Sequence, residues 1–191
     1  ERISLGSIRA YPGTFDFPPV HVLMITLRKI IVATDFSRLG SCAVSRAALL
    51  AQEHGSELVL VHVIPDAEFE WVGATGPDGS AGTVFAREKF AQTALERLSS
   101  TARGIEERYG VACQPKVVSG RTPQCIATAA ADADLVVLGA RGEHSVRRWF
   151  TGSTAQKILR ISPCPTLLVR GEPTHPYASV LAPVDFSPNS F

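Results

Sequence analysis

Residues Asp134 to Thr154, DLVVLGARGEHSVRRWFTGST, combine the residue types that hold an anion. Four apolar residues, Leu135 to Leu138, read as a strand buried on both faces. Gly139 and Gly142 follow, then nine residues, then Gly152, Ser153 and Thr154 at the head of a helical pattern. Glycine lets the main chain approach an anion closely, backbone N–H groups point at it, and the helix dipole favours its charge. Phosphate is the group such a loop suits. Each part also has a plainer reading, a strand-to-helix turn for the glycines and an N-cap for Ser153. The phosphate reading rests on their joint occurrence at one strand end.

A second polar strand end lies at Asp35, after the apolar run Lys29–Thr34 (KIIVAT). In an open parallel sheet, ligands bind beyond the carboxyl ends of the strands, where strand order reverses. If these two strands are neighbours, Asp35 faces the glycine loop across one crevice. A carboxylate beside phosphate is unfavourable unless a cation lies between them or it accepts ribose hydroxyls. Spacing alone leaves Asp35 as either such a ligand or a turn residue ahead of the N-cap Ser37.

Other reactive residues point to less. His62 sits inside a strand and reads as a packed, hydrogen-bonded histidine; His144 lies in the loop without an evident partner. Arg147-Arg148-Trp149-Phe150 pairs charge with aromatic rings, as some nucleic-acid sites do, but reads better as an amphipathic segment with Trp149 and Phe150 turned inward. A net charge of +1 gives no electrostatic footprint for nucleic acid or an anionic membrane, and no apolar run approaches a membrane span. The four cysteines, Cys42, Cys113, Cys125 and Cys164, have neither metal-ligand nor CxxC spacing, so they read as reduced, small apolar thiols consistent with a cytoplasmic setting.

The elements that must position the loop alternate strand and helix. After KIIVAT, a helix over 39–54 is capped by Ser37 and closed by Gly55; Glu57–Val63 (ELVLVHV) is a second buried strand. A Gly-rich, acidic insert, Pro65–Thr83, precedes the longest helix, Val84 to about Arg108, with a stripe at Ala91, Leu95, Leu98, Ala102 and Ile105. A short strand Lys116–Val118, a helix opening at Thr122-Pro123, the loop strand, a helix from Ser153 to about Arg160, and a strand Thr166–Val169 complete the series. This order predicts an α/β fold with a mostly parallel sheet and right-handed crossovers.

Both ends stand apart. Residues 1–23 carry three prolines and no sustained period, and the single methionine, Met24, precedes the first strand, so 1–23 is expected to be an upstream extension and the domain to span 24–171. Val180–Ser187 (VLAPVDFS) repeats Ile30–Ser37 (IIVATDFS) at an offset of 150 residues, so 178–191 is expected to be the first strand of a second, truncated copy, the alternative being a coincidental repeat.

Gly139-x2-Gly142-x9-Gly152-Ser153 resembles the nucleotide motif of the universal stress protein family. KIIVATDFS, LVLVHV and Ser162-Pro163-Cys164-Pro165-Thr166-Leu167-Leu168-Val169 also resemble that family's landmarks, over about Met24 to Arg170. The resemblance implies an open five-stranded parallel sheet in the order 3-2-1-4-5 with helices on both faces, of the adenine nucleotide alpha hydrolase-like kind. The sequence is similar to the ATP-binding branch of that family, and with the repeat at Val180–Ser187 it is expected to be of tandem-domain type. By resemblance, Ala33, Thr34 and Asp35 line adenosine, with Asp35 towards ribose or Mg2+, and Val63 touches adenine. Gly139, Arg141 and Gly142 approach ribose and phosphates, and Gly152, Ser153 and Thr154 hold phosphate oxygens. Ala33 departs from the proline of many relatives.

The implied function is a stress-response regulator that binds Mg-ATP as a conformational or interaction switch with little turnover. No Walker A lysine and no histidine-based nucleophile is present to suggest catalysis. Two alternatives stay open: a slow ATP hydrolase or other nucleotide-using enzyme of the same fold, and a dimerising interaction module with a vestigial site. Pairing through the fifth strand, as a homodimer or an intramolecular pseudo-dimer, is expected in either case because an uncovered sheet edge invites a partner.

Overall fold

The computed structural model describes residues 26–66, 81–140 and 152–180, with 81–86 as backbone only. The five apolar runs form strands β1 (Lys29–Ala33), β2 (Glu57–Ile64), β3 (Cys113–Ser119), β4 (Leu135–Gly139) and β5 (Thr166–Val169). Between them lie helices α1 (Arg38–His54), α2 (Ala81–Tyr109), α3 (Thr122–Ala129) and α4 (Ser153–Ile161). All strand pairs are parallel and the sheet order is β3-β2-β1-β4-β5, as expected. The strands are continuously apolar because helices cover both faces of the sheet. Ile30, Ile31 and Val32 at its centre are at most 1% exposed.

One core joins the sheet to α1 and α2 through Ile30, Val32, Leu58, Leu60, Leu98 and Ile105. The other joins the opposite face to α3 and α4 through Ile31, Val61, Val136, Ile126 and Ile158. Helix α1 turns a face of Gly40, Ala43, Ala47, Ala48 and Ala51 to the interior, which lets its axis approach the sheet closely. Its ends are set as expected: the Ser37 hydroxyl accepts the Gly40 N–H at 3.0 Å, and Gly55 adopts the left-handed conformation at φ 65°.

Three expectations need adjusting. Helix α2 begins at Ala81, inside the expected 65–83 insert, and runs to Tyr109. In α2 the buried line is Ala94, Leu98, Ala102 and Ile105, and Leu95 is 39% exposed. Leu95 lies one residue, about 100° of helical rotation, off the stripe that meets the sheet. Strand β3 is longer than Lys116–Val118 and contains Pro115. It is an edge strand with one neighbour, where a residue lacking a backbone donor is tolerated.

The strand starts are tied together by Asp134, whose carboxylate accepts the N–H groups of Arg28 at 2.7 Å and Lys29 at 2.9 Å. Its own N–H donates to Lys29 O, and Glu57 N–H donates to Arg28 O, so β1, β2 and β4 begin in fixed register. These two amides, Lys29 first, hold the Asp134 carboxyl below the usual carboxylate range. All four cysteines are free, and Cys42 and Cys113 are buried. Burial, with Glu106 adding to it, pushes the Cys113 thiol up to about 12, so it stays neutral and behaves as an apolar residue. After β5 the chain returns to α1. There Arg46 is 8% exposed, donates to His175 O at 2.9 Å and stacks 3.9 Å from the Tyr177 ring centroid.

No helix among the described residues is long and apolar enough to cross a membrane. The expected extension 1–23, the interior of the 65–83 insert and the second-copy strand from Leu181 onward lie outside the described residues.

Because the Asp134 carboxyl is depressed in the folded state, it adds stability above the unfolded-state value of about 3.9, and this is lost as pH falls through the folded value. Asp134→Ala is therefore expected to lower the thermal midpoint at pH 7, with the gap to the unmodified protein narrowing below about pH 4. Thermal melts across pH 7 to 2.5 measure this; a gap of constant size over that range contradicts it.

Candidate functional site

Beyond Ala33 the β1 ladder continues by one bond, Thr34 N–H to Val61 O at 2.9 Å, before the chain turns into α1. Three side-chain contacts fix that turn. Phe36 N–H donates to Thr34 Oγ1 and Ser37 N–H to Asp35 Oδ1, each at 3.0 Å, and Ser37 then caps α1. Asp35 thus performs the turn role while its side chain remains at the exposed carboxyl edge of the sheet. Phe36 stands in the left-handed region at φ 61°, uncommon for a bulky residue. Its ring lies 4.5 Å from the His62 ring centroid, and the Arg97 guanidinium sits 4.0 Å from its own centroid. His62 Nδ1 is 2.8 Å from Thr34 O; a carbonyl can only accept, so Nδ1 donates. His62 is the packed, hydrogen-bonded histidine that was expected.

The register that pairs Ala33 with Leu138 places Thr34 level with Gly139 at the end of β4, with Asp35 one residue beyond. A Cβ on Gly139 would stand 2.9 Å from the carbonyl carbon and oxygen of Leu39 and 3.1 Å from Gly40 N. A Cβ larger than hydrogen at Gly40 would stand 2.8 Å from Asp35 Oδ1 and 2.9 Å from Thr34 Oγ1. Both glycines let the first turn of α1 seat directly on the ends of β1 and β4.

From Ala140 the chain leaves for residues 141–151, and it returns where Gly152 N–H donates to Ala140 O at 3.0 Å. That bond anchors the start of α4 at the end of β4. The Gly152 donor is engaged there, so the outward donors come from Ser153 and Thr154. As first-turn residues of a helix their N–H groups have no intrahelical acceptor, and Gly152 offers no side chain to cap them. Both residues are exposed and carry hydroxyls. This end of α4 can receive an anion.

Val63 is 7% exposed and belongs to the core on the α3 and α4 side of the sheet, where Ala33 also packs. The structure therefore gathers Ala33, Thr34, Asp35, Val63, Gly139, Gly152, Ser153 and Thr154 along the carboxyl edges of β1, β2 and β4 and the start of α4. Arg141 and Gly142, with His144 and Arg147–Phe150, lie outside the described residues. Among the described residues there is no group of three or more His, Cys, Asp or Glu side chains able to cage a metal. The donor set still fits Mg2+ carried by a nucleotide, since that ion commonly takes one or two carboxylates and completes its shell with phosphate and water.

Sequence reasoning passed over Phe36 and Gly40. Phe36 carries no signal, because nothing in its type predicts a left-handed backbone. Gly40 does: glycine in the first turns of a helix is disfavoured relative to alanine, and its presence there signals a close contact.

A sequence model of the universal stress protein family matches residues 26–170. The chain is 33% identical over 150 residues to a universal stress protein of Thermus aquaticus, covering 75% of this chain and 98% of that one. It is 29% identical over 165 residues to one of Mycolicibacterium smegmatis, covering 84% of this chain and 55% of the relative. Among solved structures, UspA of Lactobacillus plantarum superposes with a TM-score of 0.66 at 22% identity, covering 76% of this chain and 99% of that one. A universal stress protein of Archaeoglobus fulgidus in complex with dAMP superposes with a TM-score of 0.51 at 20% identity, covering 76% and 100%. At these identities the solved structures establish a common fold.

Gly139→Ala is expected to destabilise the fold by about 1–3 kcal/mol, because the clashing atoms are helix backbone and cannot swing aside. Urea denaturation reads the change; a loss under about 0.5 kcal/mol would contradict the packing account.

Proposed function

Because this chain belongs to the universal stress protein family, we propose that it is a stress-response regulator that binds Mg-ATP as a switch. The observation that carries this reading is the start of α4, anchored to the end of β4 with the Ser153 and Thr154 donors uncapped and Asp35 along the same sheet edge. The dAMP complex of the Archaeoglobus fulgidus relative supports an adenine nucleotide as the ligand class.

In this reading, Ala33 and Thr34 offer main chain, and Val63 an apolar contact, to adenine. Asp35 and Gly139 border the ribose, with Asp35 also available to Mg2+. Arg141, Gly142, Gly152, Ser153 and Thr154 surround the phosphates, with the Ser153 and Thr154 amides and hydroxyls as donors. Bound Mg2+ supplies charge neutralisation between the phosphates and the Asp35 carboxylate. His62 Nδ1 donates to Thr34 O and Asp35 Oδ1 accepts from Ser37 N–H, so both side chains serve the turn as well as the site. The site is a holding site, and occupancy shifts the populations of conformers or pairings that a partner reads.

Pairing through β5, as a homodimer or with a second copy in tandem, is part of the proposal. Among the described residues β5 pairs with β4 alone, and Leu159 and Ile161 of α4 are 46% and 45% exposed. The repeat of Ile30–Ser37 at Val180–Ser187 supports a tandem arrangement, as does a match spanning about half of the Mycolicibacterium smegmatis relative. A cytoplasmic setting is part of the proposal, and the four free cysteines are consistent with it. A second reading, a dimerising module with a vestigial site, draws on one observation: Gly139 is needed for packing whether or not nucleotide binds.

Isothermal titration separates these. One ATP per site is expected at sub-millimolar nucleotide, tighter with Mg2+, and Ser153→Ala with Thr154→Ala together should weaken it about tenfold or more, as for loss of charge-assisted hydrogen bonds. Absence of heat from folded protein contradicts nucleotide binding. Gly142→Val should abolish binding and leave the dimer in place.

A further inference from the structure

A groove of about 470 Å³ runs between α1 and α2. It opens on the side of the sheet to which Phe36 and Leu39 pack, opposite the side of Ala33 and Val63. We propose that this groove is a second ligand site, for a small hydroxylated molecule with an anionic group at each end, of the class of a sugar bisphosphate. The proposal stands independently of the nucleotide reading. The volume lies in the ordinary range of small-molecule sites, roughly 300–1,000 Å³.

The α2 wall is built on one helical stripe. Arg97 and Arg108 both line the groove. Eleven residues at 100° each return to within about 20° of the same direction, about 16 Å along the axis, so the two guanidinium groups mark its two ends. Each lies near an aromatic ring, Arg97 closely at 4.0 Å from the Phe36 centroid and Arg108 more loosely at 5.4 Å from that of Tyr109. A stacked guanidinium keeps its edge N–H groups for bidentate recognition of phosphate. Neither arginine pairs with a carboxylate among the described residues.

The middle of the groove is hydroxylic. Ser45 on α1 and Ser100 on α2 line it with their hydroxyl-bearing side chains. Thr101 Oγ1 donates to Arg97 O at 2.9 Å and keeps its acceptor capacity. Between the arginines stands Gly104, exposed and in the interior of a long helix, where glycine costs about 1 kcal/mol relative to alanine. Its φ is not left-handed, and a Cβ there would meet nothing within 4 Å. Among the described residues nothing packs against Gly104, which leaves the groove open at that point.

Titrating the ¹⁵N-labelled full chain with fructose 1,6-bisphosphate tests this. The amides of Ser45, Ser100, Thr101 and Gly104 are expected to shift saturably. Arg97→Gln and Arg108→Gln, both at exposed positions, should each weaken the affinity about tenfold or more. Fructose 6-phosphate, lacking one anionic end, should bind about tenfold more weakly. Gly104→Leu has room to fold and gains helix propensity, so it should hold or raise the thermal midpoint while blocking the groove. Each of three results overturns the proposal: no saturable shift at these amides at millimolar bisphosphate, unchanged affinity in either arginine variant, or Gly104→Leu binding like the unmodified protein. Shifts confined to Ser153 and Thr154 overturn it as well, since they assign the bisphosphate to the other face.

Discussion

The backbone of Leu39 and Gly40 rests against Gly139 with no space for a methyl group between them. That contact sets the height of α1 above the sheet, and other features of the carboxyl edge follow from it. With α1 so close, the link from β1 must turn sharply over Thr34–Ser37, which requires the Thr34 and Asp35 side chains to satisfy the turn amides. The tightness of the turn puts Phe36 in a left-handed conformation, offset by its packing between His62 and Arg97. The same closeness brings the ends of β1 and β4 together beneath one helix N-terminus. The start of α4 is fastened to β4 by the Gly152–Ala140 hydrogen bond.

The sheet divides the surroundings of that turn into two chemically different sides. Towards α3 and α4 lie Ala33, Val63 and the uncapped donors of α4, an arrangement for a planar apolar group continued by an anion. Towards α1 and α2 lie Phe36, two arginines and the serine hydroxyls that line the groove. Thr34 joins them, because its backbone continues the β1 ladder, its carbonyl holds His62 and its hydroxyl holds the turn.

Much of this fold was legible before any coordinates. The five apolar runs, the Ser37 cap, the Gly55 stop and the prolines around Cys164 define elements by local chemistry, and β5 coincides with Thr166–Val169 as read. Boundaries set by long-range pairing were less legible. Strand β3 extends to Cys113 because seven of its residues pair with β2, a fact that the Pro115 signal obscures. Leu95 was placed inside because apolar type alone does not say which side of a 29-residue helix meets the sheet. At the site, the sequence located Gly139, Gly152 and Asp35 but could not say what each touches. Gly139 meets the α1 backbone, Gly152 bonds Ala140, and Asp35 closes a turn, all through tertiary neighbours that spacing does not record.

The central claim is that an adenine nucleotide sits at the carboxyl edge of β1 and β2 and not in the α1–α2 groove. Photo-crosslinking with Mg2+ and 8-azido-ATP, followed by peptide mapping, measures this directly. Labelling is expected on the tryptic peptide 30–38, which carries Ala33 to Asp35, or on the β2 segment around Val63, and unmodified ATP should suppress it. Labelling confined to residues 98–108 of α2, or labelling that ATP does not suppress, would contradict the account.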